Sequence, residues 1–69
     1  MELTIGQRIL LKRKELKLSQ AEVGRIIGCS WVTISHWENG KTPLRRYNSK
    51  IESFLSLNPG EAKQILGKR

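Results

Sequence analysis

The chain has 69 residues and a formal net charge of +7, because 13 Lys and Arg stand against only 6 acidic residues. A chain of this length forms one small domain that buries about 60% of its unfolded surface, so we take residues 1–69 as a single domain. One His, one Cys and no Asp exclude a Ser-His-Asp or Cys-His-Asp triad. We therefore expect a binding protein and not an enzyme, without cofactor or metal, and with an anionic partner.

The cysteine content and the apolar pattern favour a cytoplasmic protein. A single Cys cannot form an internal disulfide, and Cys29 has no second ligand beside it, so we expect a buried structural thiol. No apolar run reaches the roughly 20 residues of a membrane span. The start, MELTIGQR, lacks the basic-then-apolar order of a signal peptide. We expect no membrane contact.

The first predicted helix begins near residue 5. Thr4 and Gln7 have the spacing of a capping box, in which each side chain accepts from the other residue's backbone N–H. Gly6, in the first turn, is expected to weaken the helix slightly. Apolar residues then predict one buried face: Ile5, Ile9, Leu10, Leu11 and Leu16. Most remaining positions are basic, and a solvated helix face explains most of them.

Residues 19–41 predict two short helices joined by a tight turn. Ser19 and Glu22 form a second capping-box pattern, so the second helix begins at about Gln20. Gly28 ends it, because glycine readily takes the left-handed conformation that closes a helix.

The third predicted helix follows directly. Ser30 is the expected cap, and the helix runs to about Glu38. Ile34 and Trp37 fall on its inward face, so both are expected in the core. Gly24, in the second helix, supplies the small residue that a close crossing of two helices requires.

Two further helices complete the predicted fold. Apolar spacing predicts a fourth helix over residues 45–55. Asn58-Pro59-Gly60-Glu61 combines a cap, a first-turn proline and an acid, and predicts a fifth helix over residues 59–66. Gly67-Lys68-Arg69 reads as a basic tail.

The stretch from Ser19 to Lys41 resembles the helix-turn-helix of the phage repressor and Cro-like (XRE-type) family of DNA-binding proteins. The residues that carry the resemblance are Gln20, Glu22, Gly24, Gly28, Ile34 and Glu38-Asn39-Gly40-Lys41. With the flanking helices, the resemblance covers roughly residues 4–58. It implies an all-α, compact five-helix, lambda-repressor-like domain with the helix-turn-helix at helices 2 and 3. It also implies a transcriptional regulator of a bacterium or phage, expected to be a repressor, with double-stranded DNA as partner. No small-molecule ligand is evident from the sequence.

The resemblance places helix 3 in the major groove and implies DNA contacts on and around it. The expected DNA-binding residues are Gln20, Ser30, Trp31, Val32, Thr33, Ser35, His36, Asn39, Lys41, Arg45 and Arg46. Trp31 and Val32 stand where the family more often has amide-type readers, so we expect contacts with thymine methyl groups. The alternative for Trp31 is a structural lid over the adjacent helix. A plain solvated side chain is the alternative for His36 and Arg45.

The resemblance also implies contacts within and between chains. An Arg at the position of Arg13 pairs in the family with the Glu that ends helix 3, here Glu38, and would keep donors free for a phosphate. A homodimer, at least on DNA, would bind an inverted repeat with half-sites about 34 Å apart. The expected dimer interface comprises Leu44, Tyr47, Leu57 and Pro59.

A second hypothesis is a protein-interaction module of helix-turn-helix shape, such as an antitoxin or a polymerase-binding domain. The apolar Trp31 and Val32 favour it. A membrane-surface role is a third and weaker hypothesis, because the basic residues are spread over several helices and no helix has one basic and one apolar side.

Overall fold

The computed structural model describes residues 3–67, so residues 1–2 and the predicted tail residues Lys68 and Arg69 lie outside the described part of the chain. The described residues form only helices and their connections, which confirms the all-α, five-helix prediction. The elements are α1 (Ile5–Leu16), α2 (Gln20–Ile27), α3 (Trp31–Glu38), a 3-10 turn (Arg45–Tyr47), α4 (Asn48–Leu55) and α5 (Pro59–Gly67).

Reciprocal capping fixes where α1, α2 and α5 begin. In α2, the Ser19 hydroxyl accepts from the Glu22 N–H at 3.1 Å and the Glu22 carboxylate accepts from the Ser19 N–H at 2.9 Å. Thr4 with Gln7, and Asn58 with Glu61, form the same pair of bonds at the starts of α1 and α5. Each pair satisfies two backbone donors that a helix start would otherwise leave open.

The fourth predicted helix is wrong in its first turn. Residues 45–47 form a 3-10 turn, in which the Tyr47 N–H donates to the Leu44 carbonyl at 3.0 Å, and the α-helix begins only at Asn48. No side chain caps this start. Without a capping acceptor, the tighter i to i+3 bond satisfies a donor that a regular α-turn would leave open.

The predicted apolar face of α1 is wrong at Leu11. Ile9 and Leu16 are buried and Leu10 is half-buried, whereas Leu11 is 54% exposed. Leu11 lies about 200° around the helix from Ile9 and lines a shallow surface depression with Leu55 of α4, where it stays open to solvent.

The core draws on all five helices. Its buried side chains are Ile9, Leu16, Val23, Ile27, Ile34, Trp37, Ile51, Phe54 and Ala62. In α3 the two buried residues, Ile34 and Trp37, are one turn apart. They fix the rotation of α3 about its axis and so determine which side chains face outward.

Two glycines allow backbones to approach α3 closely. A Cβ at Gly24 would collide with the Cys29 carbonyl oxygen, so this glycine makes room for the turn that leads into α3. A Cβ at Gly6 would collide with the Trp37 carbonyl oxygen. Besides the slight weakening of α1 expected from its sequence, Gly6 therefore has a packing role: it is buried and lets α1 touch the C-terminal end of α3.

Candidate nucleic-acid interface

The outward face of α3 carries apolar, hydroxyl and imidazole groups. Trp31 is 56% exposed and Val32 41% exposed, and His36 is exposed in the last turn. Thr33 and Ser35 are partly covered. The exposure of Trp31 favours a surface contact over a lid, because more than half of its side chain is open to solvent. No carboxylate interrupts this face, so it is open to an anionic partner.

The start of α3 has its own cap. Ser30 Oγ accepts from the Thr33 N–H at 3.4 Å, and the two hydroxyl oxygens of these residues lie 3.3 Å apart. Both hydroxyls therefore have partners inside the chain, and Ser30 holds the first turn of the helix beside Trp31.

The end of α3 is held by Glu38. Its carboxylate accepts from Arg13 Nε at 2.8 Å, from Arg13 Nη2 at 3.1 Å and from the Gln20 amide at 3.0 Å. The Glu38 side chain is only 6% exposed. The ion pair that the resemblance implies is thus present, and it joins α3 to α1 and to the first residue of α2.

Arg13 uses three of its five N–H donors inside the chain, so the expectation that it keeps donors free for a phosphate stays a prediction. Its third nitrogen, Nη1, donates to the Leu18 carbonyl at 3.1 Å, so each of its three nitrogens already has an acceptor within the chain. Gln20 likewise commits an amide N–H to Glu38. Both residues act here as braces of α3.

The segment after α3 carries exposed basic groups. The Asn39 amide donates to the Ser35 carbonyl at 2.7 Å and closes the helix, and Lys41 and Arg45 are exposed beyond it. The guanidinium carbon of Arg46 lies 5.1 Å from the centre of the Tyr47 ring.

Tyr47 in turn packs edge-on against Trp37, with ring centres 5.3 Å apart and an interplanar angle of 64°. This support of Arg46 does not follow from the sequence alone. The adjacent Arg-Tyr pair was the available signal, but the contact with Trp37 comes only from the fold.

Carboxylates near the basic groups are mostly occupied inside the chain. The residues whose carboxylates accept from a donor of the chain are Glu15, Glu22, Glu38 and Glu61. These carboxylates make their contacts in helix caps and ion pairs, so the exposed basic groups remain available to an anionic partner.

The four residues expected at a dimer interface occupy two places. Leu44 is exposed and Tyr47 half-buried before α4, whereas Leu57 is half-buried and Pro59 exposed after it. Pro59 lines a cavity of about 560 Å³ between α1, α2 and α5. The eight-residue helix between the pairs is about 12 Å long, a distance that one protein interface can span. The dimer stays a prediction.

Cys29 lies half-buried in the turn before α3, against the core. Burial raises the pKa of the Cys29 thiol, so the neutral form is favoured. Within residues 3–67, no group of three His, Cys, Asp or Glu side chains could hold a metal ion. In the same range, every helix is too short or too polar to cross a membrane.

The comparisons with known proteins agree with this geometry. A family model described as "Helix-turn-helix" matches residues 9–61. Repressor protein C2 of Salmonella phage P22 is 47% identical over 38 residues, which cover 55% of this chain and 18% of that protein. The HTH-type transcriptional regulator DicA of Escherichia coli (strain K12) is 45% identical over 58 residues, or 83% of this chain and 43% of DicA. The chain thus spans less than half the length of either relative. No solved structure matches.

Proposed function

Because the chain belongs to the XRE-type helix-turn-helix family of transcriptional regulators, we propose that it is a cytoplasmic repressor that binds double-stranded DNA sequence-specifically. Residues 1–69 then act as one DNA-binding domain. The observation that carries the proposal is the outward face of α3, which is open to solvent and free of carboxylates while its inward face is held by the core and by Glu38.

The mechanism has two layers. In the first layer, the start of α2 and basic side chains bind the DNA phosphates, and this binding is salt-dependent. The basic side chains beyond the end of α3 are Lys41, Arg45 and Arg46. Arg45 and Arg46 would lie near the minor groove, where narrow A·T tracts attract arginine. In the second layer α3 enters the major groove. The residues that would read base edges there are Trp31, Val32, Thr33, Ser35 and His36.

Specific binding is proposed to need two copies of the chain. One helix reads only a few base pairs, so a dimer on an inverted repeat, with half-sites about 34 Å apart, would supply the specificity of a regulator. Leu44 and Tyr47 are proposed near the two-fold axis, with Leu57 and Pro59 at the rest of the interface. Sedimentation at high concentration should show a dimer with the selected duplex; a monomer under all conditions would remove this part of the proposal.

Selection of bound sites from random duplexes is the direct test of the function. We expect an enriched inverted repeat and a linear fall of log K with log salt concentration, as phosphate contacts release counterions. No enriched sequence together with a shallow salt dependence would favour the alternative, a module that docks a protein partner through Trp31 and Val32.

Replacing Trp31 by alanine should change or relax the sequence preference. It should leave the free energy of unfolding within about 0.5 kcal/mol, because the side chain is on the surface. Site selection and urea unfolding measure the two effects. Leu11→Ala is the matched control, since Leu11 is similarly exposed but lies on α1, and it should change neither. A large loss of stability in Trp31→Ala would restore the lid hypothesis.

A further inference from the structure

We infer that Tyr47 is a positioning residue for DNA binding: its ring holds the Arg46 guanidinium in place and connects it to the core residue Trp37 of α3. The inference rests on the proposed function, since it takes Arg46 as a DNA contact. It gives Tyr47 a role inside each chain, distinct from the dimer contact expected from the sequence.

Tyr47 contacts both Arg46 at the surface and Trp37 in α3. Arg46 lies 5.1 Å from the ring centre, within the distance at which a guanidinium is attracted to an aromatic face. Its Nη2 lies 3.5 Å from the Tyr47 hydroxyl. The same ring packs edge-on against Trp37, with the ring centres 5.3 Å apart. Trp37 is 4% exposed and belongs to α3 itself.

The contacts of Tyr47 affect DNA binding through the conformational entropy of the Arg46 side chain. No carboxylate among residues 3–67 lies within ion-pairing distance of Arg46, so Tyr47 is what restrains its long side chain. An arginine already held near one rotamer loses less freedom when it meets a phosphate than one that samples many. The Arg46 side chain has already lost this conformational entropy in the free protein, so its binding to DNA is correspondingly tighter.

Arg45 provides a comparison within the same turn. It is also exposed and belongs to the same 3-10 turn, but no aromatic contact or side-chain hydrogen bond of Arg45 is present in residues 3–67. If Tyr47 acts by holding Arg46, changes at Tyr47 must couple to Arg46 and not to Arg45.

The test is a double-mutant cycle on the full chain with a duplex obtained by site selection. We expect Tyr47→Leu to weaken binding about three- to tenfold, and Tyr47→Phe, which keeps the aromatic face, to stay within about twofold. Arg46→Ala should weaken binding and lower the salt slope by about one. In the Arg46→Ala background, Tyr47→Leu should have no further effect, whereas in Arg45→Ala it should keep its full effect.

Ring fluorination of phenylalanine at position 47 keeps the test valid if Tyr47→Leu does not fold. It weakens the attraction between the ring and a cation with little change in shape, so affinity should fall stepwise with fluorine content when Arg46 is present and stay constant in Arg46→Ala. Equal losses of affinity in both backgrounds, or no loss in either, would overturn this inference but leave the proposed function standing. A wild-type chain that binds no duplex would overturn the proposed function and the inference with it.

Discussion

Replacing Trp37 by alanine is expected to destabilise the chain by about 3–5 kcal/mol, as for the truncation of a large core side chain. Trp37 is 4% exposed and packs against Tyr47, and its backbone carbonyl touches Gly6. The loss approaches the lower limit of the unfolding free energy of native proteins, which is about 5–15 kcal/mol. Urea unfolding followed by circular dichroism measures it.

Trp31→Ala is the matched control for Trp37→Ala. Both change tryptophan to alanine in α3, but Trp31 is 56% exposed, so its loss should shift the unfolding midpoint little. It also leaves Trp37 as the single tryptophan, whose fluorescence should report a buried indole. A Trp37→Ala chain as stable as Trp31→Ala would contradict the inward placement of Trp37.

Replacing Glu38 by alanine is expected to cost about 2–3 kcal/mol of unfolding free energy. The change removes three hydrogen bonds and leaves the Arg13 guanidinium, which is mostly covered, without its anion. Loss of one partner from a fully buried pair costs about 3–5 kcal/mol, and the residual access of water to Arg13 reduces that figure. The same unfolding measurement checks it.

Glu52→Ala provides the comparison for Glu38→Ala. Glu52 is exposed on α4, and no hydrogen bond to its carboxylate occurs within residues 3–67, so its loss should stay within about 0.5 kcal/mol. Replacing Arg13 and Glu38 together by Met and Leu should recover part of the loss, because no unpaired charge remains. Equal effects of Glu38→Ala and Glu52→Ala would show that the network adds no stability.

Local chemistry explains which parts of the fold could be predicted. The three capping boxes join residues three apart, so the starts of α1, α2 and α5 follow from neighbouring letters of the sequence. The 3-10 turn before α4 was missed because it reflects the absence of a cap and not the presence of a pattern. Leu11 was misplaced because helical spacing identifies an apolar face without fixing how wide the covered part is.

The candidate site, like the fold, has some features that local sequence patterns predict and others that they do not. The inward spacing of Ile34 and Trp37 was enough to predict which side of α3 faces outward. The close approach at Gly6 and the packing of Tyr47 on Trp37 join residues far apart in the chain, so no local pattern contained them. The Arg13–Glu38 pair is equally distant in sequence, and only the family resemblance pointed to it.

Backbone contacts hold α3 at both ends, through Gly24 at the turn before it and through Gly6 at its C-terminal end, whereas the side chains of Trp31 and Val32 are exposed. Changes at these two side chains therefore remove little that holds the domain together. Under the proposed function, single substitutions at Trp31 or Val32 should change the preferred DNA sequence while the domain stays folded. Positions 31, 32 and 36 are all exposed on α3, so under the proposed function they are the natural ones to randomise in a library for redesigned specificity.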